Sequence, residues 1–245
     1  GAGGIIMLGW CNHTICRGNK CIGNNGAGIC MASNASPEKP DKVFHGVIER
    51  NVIRDNRWGI YIERADWIDI AGNLMENNRD GNIIQGGDNN TNITIHPDDP
   101  RITRSPKAKL VPPAEVKPGQ PIPIKLGQQA VLDASGSTDP DGHPLTFRWD
   151  FDDGTTATGA RVTHAFQEVG PHSTGVTATN GRFSDLAYCD FLAYEDVSEP
   201  ATEGRAGDWT WEELEGRNYG WHVPRGQKAS TVPVQPVPDP KTKVE

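Results

Sequence analysis

Several things are scarce in this 245-residue chain. Hydrophobic residues make up 35%, and no stretch of about 18 apolar residues occurs, so a transmembrane helical span is excluded. Basic residues are outnumbered, 24 against 32 acidic, giving a net charge of -8. That balance speaks against nucleic-acid binding through a general basic surface. Gly1 to Trp10 has no basic stretch leading into an apolar one, so no signal peptide is read there. The expectation is a mature, trimmed or partial chain with neighbouring domains in a longer parent. Zinc spacing is also missing. Cys11, Cys16, Cys21, Cys30 and Cys189 form no C-x-x-C pair, and they read as small core residues or one disulfide.

Turn formers are plentiful instead, with Gly 28 and Pro 19. They favour many short strands over a helical bundle, and no G-X-Y period points to collagen. Their distribution divides the chain. Fourteen of sixteen asparagines precede residue 97, and seventeen of nineteen prolines lie at or beyond it. Four zones follow: 1–96, a linker 97–115, a strand-and-turn region 116–197, and a Trp-containing then Pro-rich tail 198–245. The tail's end, VPVQPVPDPKTKVE, reads as extended chain.

The first zone repeats itself. Lys20-CIGNNGA-Gly28, Asn51-VIRDNRW-Gly59 and Asn73-LMENNRD-Gly81 align, with Asn25, Asn56 and Asn78 in one column. A second asparagine ends the strand before each segment: Asn19, Asn51 and Asn73. Glycine spacings of 24, 31 and 22 residues, the longest holding an insertion at 32–42, give a period in the low twenties. Three short strands per period are the mark of a stacked solenoid. Asparagines at one turn stack from circuit to circuit and bond the next backbone.

On these motifs, residues 1–96 resemble the right-handed parallel β-helix superfamily, the pectate-lyase-like fold. The fold class expected is therefore all-β, with about four β-helix coils. Gly4-Ile5-Ile6-Met7 already reads as an interior strand, so the expected helix is truncated at its N-terminus. The second zone carries LDASGSTDPDG (Leu132 to Gly142), WDFDDG (Trp149 to Gly154) and Val162-Thr-His164-Ala-Phe166. It resembles the PKD domain, an immunoglobulin-like β-sandwich, with Asp152 standing where the family commonly has Gly. Trp149 is expected in the sandwich core, and Asn180-Gly181 suits a hairpin turn.

The β-helix resemblance implies a saccharide groove along one stacked sheet. Catalytic candidates on or beside it are Arg57, Arg64, Glu63 and Lys39. Candidates for substrate contact are Trp58, Tyr61, Lys42, Asp80 and Asp88. Lyases on polyuronates need a base and a cation against the uronate carboxylate, which Arg57, Arg64, Lys39 or Lys42 would supply. Hydrolases need two carboxyls across the bond, here Glu63 with Asp80 or Asp88. No diagnostic lyase or hydrolase motif occurs, no Ser-His-Asp order appears, and His13 and His45 read as isolated histidines. The resemblance to PKD domains allows calcium on Asp139, Asp141 and Asp153; no cofactor is required. Trp209, Trp211, Tyr219 and Trp221 either stack on sugars, pack on the PKD domain or begin a further, truncated domain.

Two classes of function stay open. One is a secreted carbohydrate-active protein, a relative of polysaccharide lyases or glycoside hydrolases acting on a polysaccharide, acidic if a lyase. The other is a non-catalytic surface, adhesive or matrix protein.

Overall fold

The computed structural model describes residues 3–9, 11–33, 43–87, 89–113 and 120–195. Among these the chain is all-β, with no helix, and hence no helix able to cross a membrane. Eleven strands lie among the described residues of the first ninety-five: β1 (Ile5–Leu8), β2 (Asn12–Arg17), β3 (Lys20–Ile22), β4 (Ala27–Ala32), β5 (Val43–Glu49), β6 (Val52–Arg54), β7 (Trp58–Glu63), β8 (Ala65–Ala71), β9 (Leu74–Glu76), β10 (Ile83–Gly86) and β11 (Thr91–Ile95).

These strands fall into three parallel sheets taken in rotation. Sheet A is β1-β4-β7-β10, sheet B is β2-β5-β8-β11, and sheet C is β3-β6-β9. Each strand pairs with the one three places later, so every circuit of the chain lies on the previous circuit. Alternation in each strand sends one side inward. Ile29, Met31, Ile48, Ile53, Ile60, Ile62, Ile68 and Ile70 fill the interior, all at most 1% exposed. Full burial of such side chains contributes roughly 1.5–3 kcal/mol each. The corners repeat as well. Gly18, Arg50 and Gly72 are all left-handed, and so are Gly23, Asp55 and Asn77.

Two asparagine ladders brace the stack. Asn51 Oδ1 accepts from the Asn19 backbone N–H (2.9 Å) and from Asn19 Nδ2 (3.1 Å). Its Nδ2 donates to Cys16 O and Asn73 Oδ1, both at 2.9 Å. Asn56 does the same with Asn24 above, Asn78 below and Cys21 O. Both central asparagines are 1% exposed and fully satisfied, as burial of an amide demands. The first rung of the second ladder is Asn24, not Asn25. Register also sets Gly59 level with Asn82, where the repeat alignment had used Gly81. One residue more in a turn shifts the sequence alignment without disturbing the strands.

The remaining strands are β12 (Ile122–Lys125), β13 (Ala130–Asp133), β14 (Thr146–Asp150), β15 (Thr156–Thr158), β16 (Arg161–His164), β17 (Gly170–Thr179) and β18 (Ser184–Tyr194). They form a five-stranded sheet, β12-β18-β17-β14-β15, and a β13-β16 pair. Trp149, Phe151, Phe166 and Phe191 fill the space between. Trp149 is 0% exposed, and its Nε1–H donates to Gly159 O at 2.8 Å. Asn180 and Gly181 turn the chain from β17 into β18, with the Asn180 N–H donating to Phe183 O. The segment before β12 is already bound in: Lys107 bridges Thr138, Val111 bridges Asp133, and Leu110 packs on the sandwich core.

Candidate functional site

The outward side of sheet A carries most of the candidate residues. Register lines up Ile6, Cys30, Tyr61 and Ile84 in one row, and Leu8, Ala32, Glu63 and Gly86 in the next. Neighbours in a row are about 4.8 Å apart, the strand spacing. Ile6 and Leu8 are exposed, and Cys30, Tyr61, Glu63 and Ile84 are half-buried.

An aromatic pair sits in the middle of this face. The Trp58 and Tyr61 ring centroids are 5.1 Å apart, tilted by 32°. The Arg57 guanidinium lies 4.3 Å over the Trp58 ring, and its Nε–H donates to Asp80 at 2.7 Å. Tyr61 leans across Gly86, where an added Cβ would sit 2.1 Å from the phenol oxygen. Only glycine leaves room for that approach. The Tyr61 hydroxyl donates to Glu63 Oε2 at 2.8 Å. That bond, then burial, pushes the Tyr61 pKa up; burial, then Glu63, raises the Cys30 thiol. The arrangement offers two tilted aromatic rings, one with a guanidinium over it, beside two carboxylates. Sugar rings stack on such surfaces through their C–H faces, with hydroxyls reaching polar groups at the edge.

The structure brings Arg57, Trp58, Tyr61, Glu63 and Asp80 together here. Arg64 follows at the corner after β7, left-handed at φ 52, with its carbonyl accepting from the Val43 N–H. Lys39, Lys42 and Asp88 lie outside the described residues, as do Trp209, Trp211, Tyr219 and Trp221.

The three aspartates considered for calcium do not gather. Asp139 and Asp141 lie close to His143 in the only group of three His, Cys, Asp or Glu donors among the described residues. Both carboxylates already hold donors. Asp139 accepts from Asn180 Nδ2 (2.7 Å) and from the backbone of Asp141 and His143. Burial works to raise its pKa, and these donors outweigh it, so the net shift is downward. Asp141 accepts from Arg104 and Thr103, and the Arg104 hydrogen bond leads in holding it at about 2. A guanidinium stands where a cation would bind. Asp153 belongs elsewhere, bonded to His164 at 2.7 Å and to Thr155. The five cysteines are free thiols.

The sequence reading missed a second feature, the seam between sheet B and the sandwich. Glu49, 0% exposed, accepts from Arg17, Ser105 and the Ser184 N–H. Arg17 continues to Ser184 O (3.1 Å) and Asp185 (3.3 Å). Asp69, 2% exposed, holds Arg148 at 2.7 Å and also His96. Two residues before the Asp69 row, on the side away from Glu49, a stack of rings runs across sheet B. Tyr188 lies 4.2 Å from His13, His13 lies 4.8 Å from His45, and His45 lies 5.9 Å from Trp67. Arg148 closes the far end, 5.2 Å over Trp67. A sequence signal did exist: His13, His45 and Trp67 each fall six residues before the ladder asparagines Asn19, Asn51 and Asn73.

Comparison with known proteins divides the chain at the same place. Residues 106–185 match the family profile of the PKD domain. Residues 3–95 match that of the periplasmic copper-binding protein NosD. The PKD profile supports reading the sandwich as a PKD-like module, and the match begins near the bridges at Lys107 and Val111. The NosD match is consistent with a parallel β-helix. A microbial collagenase of Vibrio alginolyticus is 34% identical over 56 residues, which are 23% of this chain and 7% of that protein. The chain thus spans a small part of that relative. The PKD1 domain of the Vibrio cholerae metalloprotease PrtV is 24% identical with a TM-score of 0.30, over 37% of this chain and 98% of that one. A structure described for carbohydrate-binding modules of the β-sandwich superfamily is 21% identical with a TM-score of 0.33, over 41% and 39%. The described part of residues 3–95 shows no copper-type cluster of three His, Cys, Asp or Glu donors, and no chemistry is routed through that metal.

Proposed function

We propose that the chain belongs to an extracellular or periplasmic modular protein that binds saccharide chains along sheet A. In this reading residues 1–96 are a right-handed parallel β-helix of the pectate-lyase-like kind, and the stretch from 97 leads into a PKD module that already takes in Lys107 to Val111. The PKD and NosD family matches support the location and the modular organisation. The three-sheet rotation and the asparagine ladders support the β-helix.

The observation that carries saccharide binding is the Trp58–Tyr61 pair with Arg57 stacked on it. Binding is favoured over catalysis because the charged groups already have partners within the face. Arg57 is paired with Asp80, and Glu63 holds the Tyr61 hydroxyl. A lyase would need Arg57 released from Asp80 by a uronate; a hydrolase would need Glu63 released from Tyr61.

An array of neutral and acidic polysaccharides, probed with the intact chain, tests the reading. Retention on at least one polymer, weakened at least about tenfold by Trp58→Ala with Tyr61→Ala, is the expected result, since lost stacking typically costs a kcal/mol or more. Equal binding by the double variant, or no retention on any polymer, overturns it. Product release from a retained polymer, abolished by Glu63→Gln or Arg57→Ala, would move the protein into the enzyme class.

A further inference from the structure

We propose that the seam between sheet B and the PKD sandwich is an acid-released latch, with His13 as the group that opens it. His13 is clamped between the Tyr188 ring of the sandwich and the His45 ring of the next circuit, both nearly parallel to it at 16° and 12°. Its Nε2 is buried without a partner, and so is Nδ1 of His45. Both nitrogens face β17 at Gly175, where a Cβ would sit 3.0 Å from His13 Nε2 and 3.2 Å from His45 Nδ1. In the docked seam Nε2 of His13 has no acceptor, and the β17 backbone at Gly175 lies against it. A charged imidazolium would also stack face to face on its neighbour.

Burial first, then His45, lowers the His13 pKa from 6.5 to about 3. The sign follows from linkage. An undocked, hydrated His13 takes up a proton as pH falls through 6.5, and the docked one does not until about 3. Docking is at full strength above 6.5 and weakens toward 3, by on the order of 100-fold at pH 4.5 for this group alone.

The surrounding charges come from both sides of the seam. On β14, Asp150 bonds His45 Nε2 at 3.1 Å, and Arg148 covers Trp67 and holds Asp69 of β8. Beyond β14, Asp152 accepts from the Ser173 N–H. Asp152 is pushed up to about 6, chiefly by burial, so it takes its proton in the same range and in the opposite sense. On β18, Tyr188 supplies its neutral ring. A variant at His13 separates that residue's share from the share of Asp152.

The experiment is NMR-detected hydrogen exchange on the intact chain at pH 7.5 and 4.5, expressed as protection factors so that the intrinsic pH dependence drops out. The Ser184 N–H donates across the seam to Glu49 at 3.3 Å and reports opening. The Ile60 N–H, bonded within sheet A to Asn82 O at 2.7 Å, is the internal control. Ser184 protection is expected to fall steeply, toward the order of 100-fold set by His13, while Ile60 changes by less than about threefold. In His13→Phe, which keeps the ring stack and cannot titrate, the fall at Ser184 is expected to flatten to a few fold at most, roughly the remainder due to other groups. Unchanged Ser184 protection in the wild-type chain overturns the proposal. So does an equal fall in His13→Phe, or a parallel fall at Ile60.

Discussion

Sheets A and B are built from the same circuits, yet among the described residues one outward face is uncovered and the other carries a second module. The difference lies in where each face finds partners for its charges. On sheet A, Arg57 meets Asp80 and Tyr61 meets Glu63, all within the stack. On sheet B, Glu49 and Asp69 are buried carboxylates whose donors come largely from outside it: Ser105, Ser184 and Arg148. A buried carboxylate without donors is very costly. Sheet B therefore depends on the sandwich, while the charges of sheet A are satisfied within the stack.

The largest effect is expected from breaking that requirement. Glu49→Ala leaves Arg17 and the Ser184 N–H without their shared acceptor. Loss of one partner from a buried ion pair costs about 3–5 kcal/mol, and the low end applies because Arg17 is a third exposed and keeps Asp185. Calorimetry should show the melting temperature falling by roughly 10 °C, with the two modules melting apart. Gly175→Val comes next. Its side chain would enter the space facing His13 and His45, and overpacking of this kind costs about 1–3 kcal/mol. Chemical denaturation measures it, and an unchanged midpoint would mean that the seam is looser than its ring stack implies.

Asp152 gives a prediction of opposite sign. Its backbone is left-handed at φ 60, which accounts for the glycine common at this motif position in PKD domains. Burial holds its carboxyl at about 6 instead of 3.8. Its charged form is thus disfavoured in the fold above about 6, and acidification from 7 toward 4 relieves the penalty. Asp152→Asn keeps an acceptor for the Ser173 N–H and removes the charge. It should stabilise the chain by about 2 kcal/mol at pH 7.5 and by much less near pH 4. Denaturant midpoints at the two pH values test this; a gain independent of pH would assign the effect to the backbone instead.

How far the fold was legible follows the same division between local and distant contacts. The asparagine columns, the Trp149 core position and the Asn180-Gly181 turn each depend on neighbours or on a repeat period, and the sequence displays both. The frame slipped by one residue at Asn24 and at Asn82 because a turn accepts an extra residue while the strands keep register. The seam is different. Ser184 meets Glu49 from 135 residues away, and Asp150 meets His45 from 105. No period announces such pairs. His13 and His45 read as isolated histidines because their column appears only once the circuits are aligned on Asn19 and Asn51.

The smallest effect is expected on sheet A and tests the other half of the comparison. Asp80→Ala removes the Arg57 partner, with side chains 49% and 44% exposed in the pair. Exposed pairs contribute about 0–1 kcal/mol, so the melting temperature should move by no more than about 3 °C. Binding should move more than stability. Arg57 keeps its seat over Trp58, 4.3 Å from the ring, and loses the carboxylate that neutralises it. The face then carries an uncompensated cation beside its aromatic platform. Acidic polysaccharides should gain affinity relative to neutral ones, and the gain should shrink as salt is raised. A loss of stability as large as that of Glu49→Ala would show that sheet A, too, depends on its charges to hold the fold.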